Sequence, residues 1–215
     1  MKNNILIILL VFCQIFFLDK VPAKEIEFNA SDIEITNDQN LTIANNAIVT
    51  IKDDKIIVEG LKIEYFKDQS LIIVNKGKIS KIDKSLIINA DIIKYYINDG
   101  KLNFKNKVKI NDKINNLIIH SSKIYYDINN QTIIGQENSK ILDEFDNIYN
   151  VNEFEYSGEN KIIKLDSAKV LDKNKNSFQL DIAYLDLINK ELVAKDIGLN
   201  FKISDNSENE PRLKG

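Results

Sequence analysis

One histidine, one cysteine and a scatter of carboxylates are the whole inventory from which this 215-residue chain could build a reaction centre. His120 stands alone, so neither a His-rich metal site nor a Ser-His-Asp relay can be read from the sequence. Asp53-Asp54 and Asp143-Glu144 pair carboxylates as glycoside hydrolysis requires. Both pairs lie in polar stretches that read as turns, where acids serve solubility and local hydrogen bonding. The seven glycines are scattered singly, with no phosphate-cradling loop. Tyr95-Tyr96 and Tyr125-Tyr126 offer rings for base stacking, and Lys105, Lys107 and Lys109 form a basic strip. With 29 Lys+Arg against 32 Asp+Glu and a net charge of -3, the balance argues against a nucleic-acid partner. The lysines read as a solvated face. No catalytic residue, metal ligand or cofactor site is expected, so the chain reads as non-enzymatic.

Two compositional facts set the frame. Ile, Asn and Lys account for about 44% of the chain, and Arg212 is the only arginine. All three favoured residues have A/T-rich codons. The Lys:Arg ratio and the three Asn-x-Ser/Thr sequons (Asn29, Asn40, Asn130) therefore carry no functional message. Hydrophobic residues make up 44% of the sequence, too many for a disordered chain and enough for a core.

The N-terminus reads as an address. Lys2 precedes an apolar run from Ile5 to Leu18, which is short for a membrane span of about 20 residues. Val21-Pro22-Ala23 then fits a secretory cleavage site before Lys24. Residues 1–23 are expected to be a cleaved signal peptide. Cys13 goes with it, leaving a chain with no disulfide and no thiol chemistry.

The remainder repeats. An apolar-x-aromatic phrase recurs as Ile63-Glu64-Tyr65, Ile93-Lys94-Tyr95, Ile124-Tyr125-Tyr126 and Phe154-Glu155-Tyr156. Ile33-Glu34-Ile35 precedes the series, and Tyr184-Leu185-Asp186 closes it more loosely. The step is about thirty residues, the signature of a stacked architecture. Each unit holds two strand-like runs joined by turns rich in Asn, Asp and Gly. These residues tolerate left-handed backbone or bond locally to their own chain.

Within the runs the period is two. Leu102, Phe104, Val108 and Ile110 share one face, and Lys101, Asn103, Lys105, Lys107 and Lys109 the other, which is the pattern of a half-buried strand. The second run of each unit changes phase midway: Ile56 and Val58 give way to Ile63 and Tyr65 around Gly60. Ala90 and Ser121 mark the same switch in the next two units. One extra residue flips the inward face, as a bulge or corner does. The fold expected is all-β: stacked, bent antiparallel hairpins whose two curved walls enclose an apolar interior. Ile43, Val49, Val58, Ile63, Ile73, Ile79, Ile88, Ile93, Phe104 and Ile110 are the expected inward residues. Periodicity alone leaves open whether that interior is a closed core or a cleft for something long and apolar.

These features together resemble the OstA-like (LptA/LptD N-terminal) family of lipopolysaccharide transport. The residues that carry the resemblance are Ala30-Ser31-Asp32-Ile33-Glu34-Ile35, the run Leu41 to Ile51, and Ala90-Asp91-Ile92-Ile93-Lys94-Tyr95, repeated serially over about residues 25–203. Each motif is degenerate; the serial repetition is specific. The resemblance implies an OstA-like β-jellyroll over 24–203, with a seam that carries lipopolysaccharide acyl chains and edge strands that pair with another such module. It implies a periplasmic location at the outer membrane. Asn147 to Tyr156 and the phrase Asn209 to Gly215 resemble the assembly branch of the family, in which 204–215 would lead toward an outer-membrane barrel and its lipoprotein plug. The chain departs from that branch in having no barrel strands and no cysteines linking domain to barrel. A stand-alone bridge module is the other form the family offers. Outside the family, the rival is a structural, adhesin-like β-repeat with a closed core and no lipid.

Overall fold

The computed structural model describes residues 24–200; the expected signal peptide and the C-terminal phrase from Asn209 lie outside the described residues. All regular structure described is strand. The first seven are β1 (Ile26–Asn29), β2 (Asp32–Ile35), β3 (Leu41–Ile51), β4 (Ile56–Phe66), β5 (Leu71–Lys81), β6 (Leu86–Tyr96) and β7 (Lys101–Asp112). There follow β8 (Leu117–Asp127), β9 (Thr132–Gln136), β10 (Ser139–Leu142), β11 (Ile148–Val151) and β12 (Glu153–Ser157). The last are β13 (Ile162–Leu171), β14 (Ser177–Asp186) and β15 (Glu191–Asn200). The described strands form one antiparallel sheet.

The short strands show how the long ones bend. β1 pairs with Ile48–Ile51 of β3, and β2 with Thr42–Asn45 of the same strand. Likewise β9 continues into β10 and β11 into β12, each pair spanning both halves of its neighbours. Every long strand is thus two half-strands meeting at a corner, and the sheet folds along the line of corners into two walls. Wall A carries β2, β9, β12 and the adjoining halves of the long strands; wall B carries β1, β10, β11 and the other halves.

The corner has a backbone cause. Asn46, Lys76, Asn106, Lys107, Glu137, Asn138 and Ser167 hold φ between 46° and 64°, at steps of about thirty residues. A left-handed residue within a strand turns the chain and swaps its faces, at a cost of roughly 1–2 kcal/mol for a side chain other than glycine. Buried residues accordingly jump from Ala44 to Ala47 in β3 and from Val74 to Ile79 in β5. The sequence places the phase change in the second runs only; the structure bends both strands of each hairpin and changes the phase of first runs such as β3, β5 and β13 as well. The constant parity of Leu102, Phe104, Val108 and Ile110 has a different origin from a straight strand. β7 inserts two left-handed residues, and its register shifts by one against β6 and β8.

The turns also differ from expectation in one respect. The left-handed turn position falls to Asn116, Asp146 and Gly100 as expected, but also to Gln39, Lys55, Ser70, Lys84, Gln131, Lys161, Lys175 and Lys190. Most of the turn aspartates take the other expected role and accept local hydrogen bonds. Asp83 takes the Ser85 N–H at 2.9 Å, and Asp143 takes those of Phe145 and Asn147, each at 2.9 Å. The side-chain acceptor fixes the turn, so an exposed lysine can occupy the strained place.

Between the walls lies one core, which runs from Ala44 to Leu185. Wall A contributes the cross-strand row Ala44, Ile63, Val74, Ile93, Phe104, Ile124, Gly135, Phe154, Leu165 and Ala183. Wall B contributes Val49, Val58, Ile79, Ile88, Ile110, Ile119, Ile141, Tyr149 and Val170. Gly135 keeps its place because the Phe154 ring lies over it, where a Cβ would stand.

Candidate functional site

Eight of the ten residues expected inward are so placed: Val49, Val58, Ile63, Ile79, Ile88, Ile93, Phe104 and Ile110 are each at most 3% exposed. The other two are corrected. Ile43 and Ile73 are half-buried on the outer face, facing Glu64 across the sheet, while Ala44 and Val74 take the interior places. The reason is the left-handed residue that follows in each strand, Asn46 and Lys76. It reverses the parity that extrapolation from Val49 or Ile79 would assign.

The eight are packed against one another rather than facing space. Room lies further along, at β13 to β15. There a cavity of about 350 Å³ is lined by Val170, Phe178, Leu180, Leu185, Leu187 and Leu192, with Glu144, Asp186 and Lys190 beside them. The sequence reading missed these residues. Their signal was the loose closing phrase Tyr184-Leu185-Asp186 and the alternation of Phe178 with Leu180 and of Leu185 with Leu187 around it.

The two walls approach again at a seam opposite the corners. On wall A the seam is bordered by the aromatic of the repeated phrase. Tyr65, Tyr95, Tyr126 and Tyr156 stand in one cross-strand row, separated by Ile72, Leu102 and Ile133, and Ile163 and Leu185 continue it. On wall B the border is the run of turns at Asp54, Lys81–Asp83, Asp112 and Asp143–Glu144. Thr42 and Ile51 at the two ends of β3 would be roughly 30 Å apart in a straight strand. Hydrogen bonds nevertheless connect the two borders, so the sheet folds back on itself.

Three polar latches cross the seam. The Tyr95 hydroxyl donates to Asp54, whose other oxygen receives Lys24 Nζ at 2.7 Å; the same ammonium donates to the Ile97 carbonyl at 2.7 Å. Tyr156 donates to Asp112 Oδ2 at 2.8 Å and accepts from Asn115 Nδ2 at 2.7 Å. Lys190 pairs with Glu144 at 2.8 Å, its ammonium 5.3 Å from the Phe145 ring centre. In each, partners 41 to 46 residues apart meet, about one and a half repeats. Burial, followed by the Asp112 charge and its hydrogen bond, pushes the Tyr156 hydroxyl well above the usual phenol range, so it stays a donor. Tyr126 is pushed up to about 12, again by burial first and then by Asp127 and Asp112.

The residues screened for reaction chemistry do not converge. His120 is exposed on β8 between Lys109 and Lys140, and partial burial and the two lysines lower its pKa. Among the described residues no three His, Cys, Asp or Glu side chains gather as a metal site would need. What the arrangement offers is an apolar interior with polar closures along one side.

No family model matches the chain, and no curated protein matches it in sequence. Among solved structures it is similar to that of LptH, described as the LptA homologous periplasmic component of the conserved lipopolysaccharide transport device from Pseudomonas aeruginosa. The TM-score is 0.47 at 14% identity, over 53% of this chain and 82% of that one.

Proposed function

We propose that this chain is a non-enzymatic, periplasmic lipopolysaccharide-transport module of the OstA-like type, which shelters acyl chains between its two walls. The observation that carries the reading is the partition of chemistry in the interior. Its rows are built of apolar side chains with Gly135 and Tyr149, buried polar groups lie at the seam and at the corner pair Ser121 and Ser139, and a cavity of about 350 Å³ opens among Phe178, Leu180, Leu185 and Leu192. That volume falls within the range of about 300–1,000 Å³ typical of ligand pockets. Burying a methylene contributes about 0.8 kcal/mol before ordering costs, so an alkyl chain needs no polar anchor to be held. Ile88, Ile93, Phe104 and the other buried residues of the row would line the path if the walls part. Directional movement would draw on energy supplied elsewhere, and an edge strand, β2 or β15, would pair with a neighbouring module. The chain would serve either as the N-terminal domain of an LptD-type assembly protein, beside a barrel and its lipoprotein plug, or as an LptA-type bridge.

The test is photo-crosslinking in cells that make lipopolysaccharide. A crosslinking residue at Leu180, Ile88 or Phe104 should capture lipopolysaccharide, and one at the outward Lys105 or Lys107 should not. Capture confined to the outward positions would refute the reading. A second reading has its own support: the interior from β3 to β8 is packed to near-zero exposure, as in a structural repeat with a closed core. Absence of capture at every inward position would favour it.

A further inference from the structure

The latch tyrosines follow the repeat, and of Tyr95, Tyr126 and Tyr156 only Tyr126 makes no bond across the seam among the described residues. Lys81 ends β5 as Asp112 ends β7; both are on the inward parity and pair across the sheet with Ile56 and Leu86 respectively. Tyr126 holds on β8 the place that Tyr95 holds on β6 and Tyr156 on β12. A carboxylate at 81 would complete a fourth latch. With a lysine there, no hydrogen bond crosses from Tyr126 among the described residues, and the seam opens into a gap of about 630 Å³ lined by Lys55, Lys81, Ile82, Tyr126 and Gln131. A narrower cavity of about 30 Å³ shares Lys81, Tyr126 and Gln131 with the gap and continues to Leu86 and Ile133 of the core.

The charge at this gap is distinctive. Lys55, the last turn residue before β4, and Lys81, the last residue of β5, are tied by the Ile82 N–H to Lys55 carbonyl bond at 2.9 Å, and neither forms a salt bridge among the described residues. Of the two acids at the rim, Asp54 is taken up by Lys24 and Tyr95, while Asp83 accepts the Ser85 N–H and keeps its charge near Lys81, so the lysines outnumber the one uncompensated acid. Tyr126 keeps its proton and can donate. Two ammoniums outside any salt bridge, a hydroxyl and an amide thus surround an opening whose floor is hydrocarbon. That combination fits an amphiphile whose anionic head, a phosphate above all, stays at the rim while its tail passes inward.

We propose that the unlatched gap between Lys81 and Tyr126 is a lateral portal for such a lipid, with Lys55 and Lys81 binding its anionic head. The inference rests on the acyl-chain reading above. Calorimetric titration of the chain with dodecyl phosphate, dodecyl maltoside and inorganic phosphate, the amphiphiles below their micellar concentrations, tests it. Dodecyl phosphate should bind about tenfold or more tighter than dodecyl maltoside. Lys55→Gln/Lys81→Gln should erase that preference while leaving dodecyl maltoside within about twofold. Lys81→Asp, which restores a carboxylate opposite Tyr126, should weaken dodecyl phosphate further without loss of folded signal by circular dichroism. A preference that survives in the double variant overturns the portal and leaves the acyl-chain reading intact. Inorganic phosphate binding as tightly as dodecyl phosphate overturns it in favour of a free-anion site. Failure of both alkyl probes to bind the unmodified chain removes the portal and the acyl-chain reading together.

Discussion

Two identical substitutions at equivalent points of the repeat isolate what a latch is worth. Tyr156→Phe removes one hydroxyl, which donates to Asp112 Oδ2 at 2.8 Å. Asp112 is 5% exposed and retains the Ile114 N–H at 3.0 Å, the Asn115 N–H at 3.1 Å and the Asn115 amide at 2.7 Å. The carboxylate therefore stays in place, and the variant loses the two bonds its hydroxyl makes across the seam, the one given to Asp112 and the one received from Asn115 Nδ2. A hydrogen bond to a charged group contributes about 1.5–3 kcal/mol. For a chain of this size that is a fall in Tm of roughly 3–12 °C. Tyr126→Phe removes the same atom from the neighbouring repeat, where no cross-wall bond exists, and should change stability by less than about 0.5 kcal/mol. Urea unfolding of both variants, with a double-mutant cycle pairing Tyr156→Phe and Asp112→Asn, separates the latch from generic loss of a hydroxyl. The cycle should show coupling of about 1 kcal/mol or more. Equal costs for the two tyrosines, or additive behaviour in the cycle, would refute the claim that the seam is held at discrete points.

The remaining predictions concern packing and titration. Gly135→Val should cost about 1–3 kcal/mol, since the Phe154 ring occupies the space a side chain needs, and adding Phe154→Leu should recover part of it, measured by thermal melts. Tyr126, Tyr149 and Tyr156 all hold their protons more tightly folded than the usual phenol value of 10.0. Their unfolded forms lose protons first as pH rises, so the tyrosines' contribution to stability should be constant below about pH 10 and be lost above it. Absorbance at the phenolate band, followed alongside circular dichroism, should show these tyrosines titrating only as the chain unfolds.

The sequence by itself determined the class of fold and the pitch of the stack. Period-two runs of Ile, Val and Phe, thirty-residue spacing and Asp-led turns require antiparallel hairpins whose apolar faces must be buried together. The tyrosine of each repeated phrase was legible as a marker, because its position in the period is fixed by the strand. Three things were decided by tertiary structure. The corner residues Asn46, Lys76, Asn106 and Ser167 are polar and exposed, and nothing in their side chains announces a left-handed backbone; hence Ile43 and Ile73 were assigned the wrong face. The latches join residues 41 to 46 apart from different repeats, a pairing set by how the two walls stagger when the sheet folds over. The cavity among Phe178, Leu185 and Leu192 depends on where the walls diverge. Local alternation fixes which side of a strand is apolar, but the distance between two such sides is a property of the folded sheet.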